Sequence, residues 1–355
     1  MTAPCRTRRN TCPQRHRHTQ RGFALAAALW LLAGLAIVVS LVDDAAVTSA
    51  ERVRQLRERA DFTRSALAAR AQMIYYVALA QPQAAGFAYG NTVVLADESP
   101  YRVDATSVVR LQDLGGLINL NGVDRPVMER LLVNCGVAAD QVPFLIDALE
   151  DYTDADDLQR INGAERDSYA LAGLGPPRNS PLLSVNELWS VYGWAKQKTP
   201  WVANGCARAL TVYNTAGAMG SSVNLATAPP MVLRAAGVDA ATANDIATAR
   251  GDEQKTVDAT ATANAAVGNV GMFGLSGGMV KRALRVTHEH SRLPWVIEYN
   301  FTLDFNNDDK PWSISQPVIS ARQSTPIVPA ARAAPWPLAS ASAPSPSDDR
   351  RVLPF

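Results

Sequence analysis

The longest uninterrupted apolar run in the chain is Phe23–Val42, twenty residues without a charge that read FALAAALWLLAGLAIVVSLV. As a helix rising about 1.5 Å per residue, it covers about 30 Å, the thickness of a bilayer's hydrocarbon core. From Asp43 to Leu79 there is neither Pro nor Gly, and Val53, Leu56, Ala60, Leu67, Ala71, Ile74 and Ala78 recur at helical steps. Such spacing marks one face of a helix, and Gln81-Pro82 supplies its stop. The pattern predicts one helix of roughly 55 residues over 23–79, its first half in lipid and its second lying on a globular head.

Beyond the helix the period shortens. Thr92–Leu95, Tyr101–Ala105, Val108–Leu111 and Leu117–Leu120 are β-branched or aromatic stretches separated by Asp-Glu-Ser-Pro and Leu-Gly-Gly, which predicts strands. Strand character then stops until Val280–Thr287 and Trp295–Phe305. A sheet split in this way implies an insertion, because strands need neighbours to satisfy their backbone. The inserted block echoes itself. Asn119-Leu120 leads through Pro126 to Gly136-Val137, and Asn224-Leu225 leads through Pro229 and Pro230 to Gly237-Val238. Proline near a helix start and glycine past its end punctuate a short helix pair in each copy. SVNELWSVYGW offers a third helix–turn unit around Val185–Trp189.

Charge then fixes topology. Lys+Arg 34 against Asp+Glu 33 sums to +1, yet residues 1–22 hold six arginines and no acid. Those arginines before the apolar run, with Asp43-Asp44 behind it, place the N-terminus in the cytoplasm and the bulk across the membrane. Setting the six aside leaves 28 basic residues against 33 acidic ones, an acidic head of net charge −5. Small residues between Ser40 and Ala50 keep an ordinary cleaved signal as one alternative, and an uncleaved anchor is another. The boundary Arg21-Gly22-Phe23 resembles a third kind, the class III signal of type IV pilins and pseudopilins, cut before the apolar stretch. The long helix that follows favours this third reading.

Several motifs in one order carry a more specific resemblance: the leader, DLGGLINLN at 113–121, DALEDYTDADDLQRINGAE at 147–165, SVNELWSVYG at 184–193 and VNLATAPPMVL at 223–233. Together they resemble the minor pseudopilin K family of the type II secretion system, also called general secretion pathway protein K. The resemblance implies an α+β pseudopilin fold, a long membrane helix packed on an antiparallel sheet, with an inserted α-helical domain that is SAM-like or helix-hairpin-helix-like. It divides the chain into a prepilin leader (1–22), a transmembrane and assembly helix (23–42), the pseudopilin helix and first strands (43–118), the inserted domain (119–275) and the last strands (276–310). A Pro/Ala/Ser-rich tail (311–355), expected to be disordered, follows. The resemblance also implies a non-catalytic subunit of the Gram-negative inner membrane that caps the periplasmic pseudopilus beside minor pseudopilins I and J. Prepilin peptidase would cleave after Gly22, leaving an N-methylated Phe23. The Glu that most major pilins and pseudopilins carry at the fifth mature position is absent, since Ala27 stands there, and that absence belongs to the resemblance. That suits a tip subunit with nothing above it. A minor pilin of a type IV pilus is the neighbouring alternative.

Other chemistry is sparse. The densest carboxylate cluster yields the candidate calcium ligands Asp151, Asp154, Asp156, Asp157 and Glu165, hard oxygens of the type that ion takes. Their spacing is not an EF-hand, and a solvated helix end is the simpler alternative. Calcium binding by some pseudopilins K supports the ion. Cys135 and Cys206 remain after leader removal, in an oxidising compartment, and leave open a disulfide or two buried thiols. His288-x-His290 is at most a weak metal pair. The helix pairs also suggest a membrane-anchored DNA-binding module. Residues 119–250, however, carry 10 basic and 14 acidic side chains, the wrong sign for phosphate, so no nucleic acid is expected. No HExxH or P-loop occurs, so no enzyme is expected.

Overall fold

The structure, a computed structural model, describes residues 21–213, 223–267, 279–291, 293–304, 311–322 and 333–337. Two compact units result, Met1–Asp61 and Phe62–Phe355. The first is helical. Helix α1 (Arg21–Leu79) carries the apolar run, and Phe23, Trp30 and Leu31 are all exposed. Among the described residues it is the one helix long and apolar enough to cross a membrane. So large an exposed apolar surface calls for lipid or other helices around it. Toward the polar end Arg54 pairs with Glu51 and Glu58 one turn away on either side.

In the second unit, α1 from Phe62 onward buries Phe62, Ala66, Ala69, Met73, Tyr76 and Val77. This corrects the expected face in part: Leu67 and Ala71 point outward, while Ile74 packs against the sheet's core. Phe62, Met73 and Tyr76 bring more apolar area than Leu67 and Ala71, so they decide which side meets the sheet. A three-stranded sheet joins β1 (Gln81–Pro82), β2 (Gly86–Tyr89) and β3 (Thr92–Leu95). Gly86 is obligatory there, since a Cβ would lie 2.3 Å from the Val94 carbonyl oxygen.

The main sheet contains β4 (Asp97–Arg102) and β5 (Ser107–Asp113). After Asp113 the chain leaves this sheet. The departing segment holds β6 (Ile118–Asn119), α2 (Arg125–Asn134), α3 (Val142–Thr153), α4 (Arg166–Leu171), α5 (Lys198–Ala203), β7 (Leu210–Thr211), α6 (Pro230–Ala236), α7 (Ala240–Ala249) and α8 (Glu253–Val267). The chain rejoins through β8 (Ala283–His290), which lies antiparallel beside β5 with Asp113 opposite Leu284. Strand β9 (Trp295–Leu303) follows. Thus 114–282 leaves and returns between neighbouring strands, and its core is its own. Met128, Leu131, Ile146, Trp194, Trp201 and Val232 pack in one cluster, while Met73, Tyr76, Phe87, Leu111, Val286 and Phe301 pack under the sheet. The expected boundary at 275 falls within 268–278, outside the described residues.

The tail departs from expectation. Residues 311–322 form β10 (Trp312–Ile314) and β11 (Val318–Ala321), both on β9, and β12 (Ala334–Pro335) pairs with β4 at the opposite edge. Disorder does not hold for these residues, because the order β10-β9-β8-β5-β4-β12 uses both ends of the sheet as templates. The remainder of 323–355 lies outside the described residues apart from 333–337.

Candidate functional site

The acidic loop grows out of α3, whose last turns place Asp147, Glu150, Asp151 and Asp154 along one side. Asp151 is fully buried and Asp154 caps the helix. Arg160 reaches back into this group: its Nε lies 2.9 Å from Glu150 Oε2, and its Nη1 lies 2.7 Å from Asp151 Oδ1 and 2.5 Å from Asp154 Oδ2. Asn162 ties the following turn to Asp147 through its backbone and side-chain N–H groups, at 3.1 and 2.9 Å. Arg125 holds the other Asp147 oxygen at 2.6 Å. Burial alone would raise the Asp147 pKa, and the Arg125 and Asn162 bonds bring it below the ordinary value.

Of the expected calcium ligands, Asp151 and Asp154 therefore bind a guanidinium. Asp156 accepts from the Leu158 N–H, and Asp157 accepts from Asn179 Nδ2 at 2.8 Å. Glu165 is buried with neither carboxylate oxygen bonded, and Asp154 Oδ1 is likewise without a partner. Burial first, and then Asp151, Asp154, Asp157 and Asp156, push Glu165 up to about 7. Among the described residues no three carboxylate, imidazole or thiol groups converge as a metal requires. The donor chemistry suits a hard cation, but the side chains do not gather around one, because Arg160 already supplies positive charge. The sequence pattern of carboxylates hid this arginine, although its place between the two acidic runs was the available signal.

Cys135, at the end of α2, and Cys206, before β7, are joined by a disulfide with Cα atoms 6.1 Å apart. His288 faces Tyr299, with Nε2 and hydroxyl 3.1 Å apart, and burial together with Arg70 lowers its pKa to about 3. The ring of His290 packs edgewise on Phe62.

Two of the sequence motifs meet where the inserted block joins the sheet. Asp113 is buried, accepts from Gly115 N–H, and binds Asn224 Nδ2 and Thr227 Oγ1, each at 3.0 Å. Asn224 Nδ2 also donates to the Ala84 carbonyl. A Cβ on Gly116 would come within 2.5 Å of Thr227 Oγ1, so the Gly-Gly of the first motif admits the second. A second clamp centres on Glu98, held at positive φ by a register shift between Asp97 and Pro100. It meets Arg208 of the block at 2.6 Å and Arg285 of β8 at 2.9 Å. Burial would raise its pKa, but these two guanidinia bring it down to about 2. These contacts tie the block to the sheet. They were not legible as a site, since their members are separated by up to about 190 residues of sequence.

At the N-terminal end, helix α1 begins at Arg21, so the Gly22-Phe23 boundary lies within its first turn, and Phe23 is exposed. Residues 1–20 of the leader lie outside the described residues.

Residues 91–202 match the family model for the type II secretion system (T2SS), protein K. Among solved structures, the chain resembles one chain of the GspK-GspI-GspJ complex from the enterotoxigenic Escherichia coli type 2 secretion system. The TM-score is 0.50 and the identity 14%, over 76% of this chain and 100% of that one. At that identity the likeness is one of fold. No curated protein matches the sequence.

Proposed function

We propose, on the premise that this chain is a minor pseudopilin of the type II secretion system protein K kind, that it caps the tip of the periplasmic pseudopilus. There it helps to initiate assembly for protein export across the outer membrane. One observation carries this reading: among the described residues the large side chains of the apolar part of α1 are exposed, while the head projects the bulky block 114–282 from between two sheet strands. Such a helix is stored in the inner membrane and then packs on other pseudopilin helices, where Ala26, Ala27, Ala28 and Gly34 allow close approach. The leader arginines keep the N-terminus cytoplasmic and the head periplasmic. Prepilin peptidase cuts after Gly22, and Phe23 becomes the methylated N-terminus. With Ala27 in place of a carboxylate, the helix has no partner for the amine of a subunit above it, and the block obstructs that position.

The role is one of assembly, without catalysis. Minor pseudopilins I and J are the proposed partners, supported by the presence of GspI and GspJ in the solved complex of similar fold. The helix pairs α2–α3 and α6–α7 read as SAM-like or helix-hairpin-helix-like packing units. Co-expression with I and J should recover a complex of all three. Co-purification with type IV minor pilins instead would move the chain to a pilus.

Calcium is proposed as an alternative counter-ion to Arg160, held by Asp151, Asp154 and Glu165, with Asp156 and Asp157 at the margin. The unbonded oxygens of Asp154 and Glu165 support this. Millimolar calcium should raise the Tm of Arg160→Gln by about 5 °C or more and shift wild type far less. Equal, negligible shifts in both would remove calcium from this loop.

A further inference from the structure

Residues 333–337, Ala-Ala-Pro-Trp-Pro, sit against the outer edge of β4. The pairing is parallel, Ala334 opposite Tyr101 and Pro335 opposite Arg102, and the Trp336 N–H donates to the Arg102 carbonyl at 2.8 Å. Ala333 is buried beside Val108. Trp336 is 1% exposed, edge-on to Tyr76 at 5.5 Å between ring centroids and to Tyr101 at 5.9 Å.

The walls of this slot have hydrogen bonds of their own. The Tyr76 hydroxyl donates to the carbonyls of Phe87 and Thr92, and the Tyr101 hydroxyl accepts from the Leu95 N–H. Helix α1 and strand β4, which carry the two tyrosines, share a core cluster with Phe87, Leu111, Val286 and Phe301, and Trp336 joins that cluster from the sheet edge. The occupant, by contrast, is short, makes two ladder pairs, and is flanked by Pro/Ala/Ser-rich sequence. Its prolines hold it extended and lower the entropy lost on docking. This is the pattern of a peptide ligand added to a sheet edge: backbone bonds for affinity, one aromatic anchor for specificity. The fit also has a flaw, since the buried Trp336 Nε1–H has no acceptor. A buried donor left unpaired weakens the occupant that carries it.

We propose that the β4 edge with its Tyr76–Tyr101 slot is a binding site for an extended aromatic–proline segment, and that residues 333–337 are its tethered resident. The strap closes the edge against pairing with another chain. An unpaired edge strand is a template for exactly such association. Because the ligand is tethered, its effective concentration is on the order of millimolar, which keeps a free peptide out.

The test uses the detergent-solubilised full chain and a labelled peptide of residues 332–338. Trp336→Ala should bind the peptide saturably, and wild type about 10- to 100-fold more weakly. A peptide with Phe for Trp, which lacks the stranded donor, should bind the variant at least as well, and one with Ala should not bind. Equal affinity of variant and wild type, or none in either, overturns the site. Should Trp336→Ala fail to fold, a protease site placed within 323–332 replaces it. After cleavage the 333–355 fragment should stay with the head and be chased by excess 332–338 peptide. Immediate loss of the fragment, or none of it displaced by the peptide, overturns the site equally.

Discussion

Gly163→Ala should cost the protein about 3 kcal/mol or more and lower its Tm by roughly 10 °C. A Cβ at this position would lie 1.9 Å from Asp151 Oδ2 and 2.7 Å from its Cγ, so the carboxylate must retreat. Asp151 has no room to do so, being fully buried, and its other oxygen holds the Arg160 guanidinium at 2.7 Å. Moving it either breaks that pair, leaving a buried charge uncompensated, or unwinds the last turn of α3. Both routes cost more than adding a methyl group at an open site, since breaking a buried ion pair alone costs about 3–5 kcal/mol. Gly175→Ala is the internal control: nothing lies within 4 Å and φ is ordinary, so its melting curve should stay with wild type. Equal melting of all three proteins would mean that the acidic loop does not pack on Gly163.

The second large effect concerns the covalent tie in the inserted block. Cys135 and Cys206 close a loop of 71 residues. The chain-entropy treatment puts that closure at about 4 kcal/mol relative to an open unfolded chain, before any native-state strain. Both sulfurs sit in the block's core, so Cys135→Ser/Cys206→Ser also buries two hydroxyls among apolar neighbours. The double variant should unfold at markedly lower denaturant, and reducing agent should shift wild type by a similar amount without affecting the variant. Two thiols titratable in the denatured, unreduced chain after removal of residues 1–22, which carry Cys5 and Cys12, would contradict the bond.

The membrane helix, the return of strand character after a long helical block and the repeated helix pairs are legible in the sequence because each rests on local periodicity. Where periodicity is ambiguous the reading fails. Helix α1 carries two apolar stripes, and hydropathy marks Leu67 and Ala71 while the sheet selects Phe62, Met73 and Tyr76. That choice belongs to tertiary packing. The tail fails for a different reason. Nine prolines among residues 311–355 dominate its composition and obscure one large anchor, Trp336, whose flanking prolines were the signal. In the acidic loop the carboxylates are legible and their partner is not. Whether a cluster of acids holds a metal or an arginine depends on the direction of Arg160, which spacing does not encode. The junction motifs were visible as strings, and only the fold reveals that Asp113, Gly116, Asn224 and Thr227 are one contact.

The most direct measurement is the mature N-terminus of the chain co-expressed with prepilin peptidase, read by intact-mass and terminal-peptide spectrometry. A pseudopilin requires loss of residues 1–22 and an N-terminal Phe23 one methyl heavier than the free amino acid. An intact Met1, or a terminus beyond Ser40, would make the apolar helix a plain anchor or an ordinary signal, and the assembly role would fall with it.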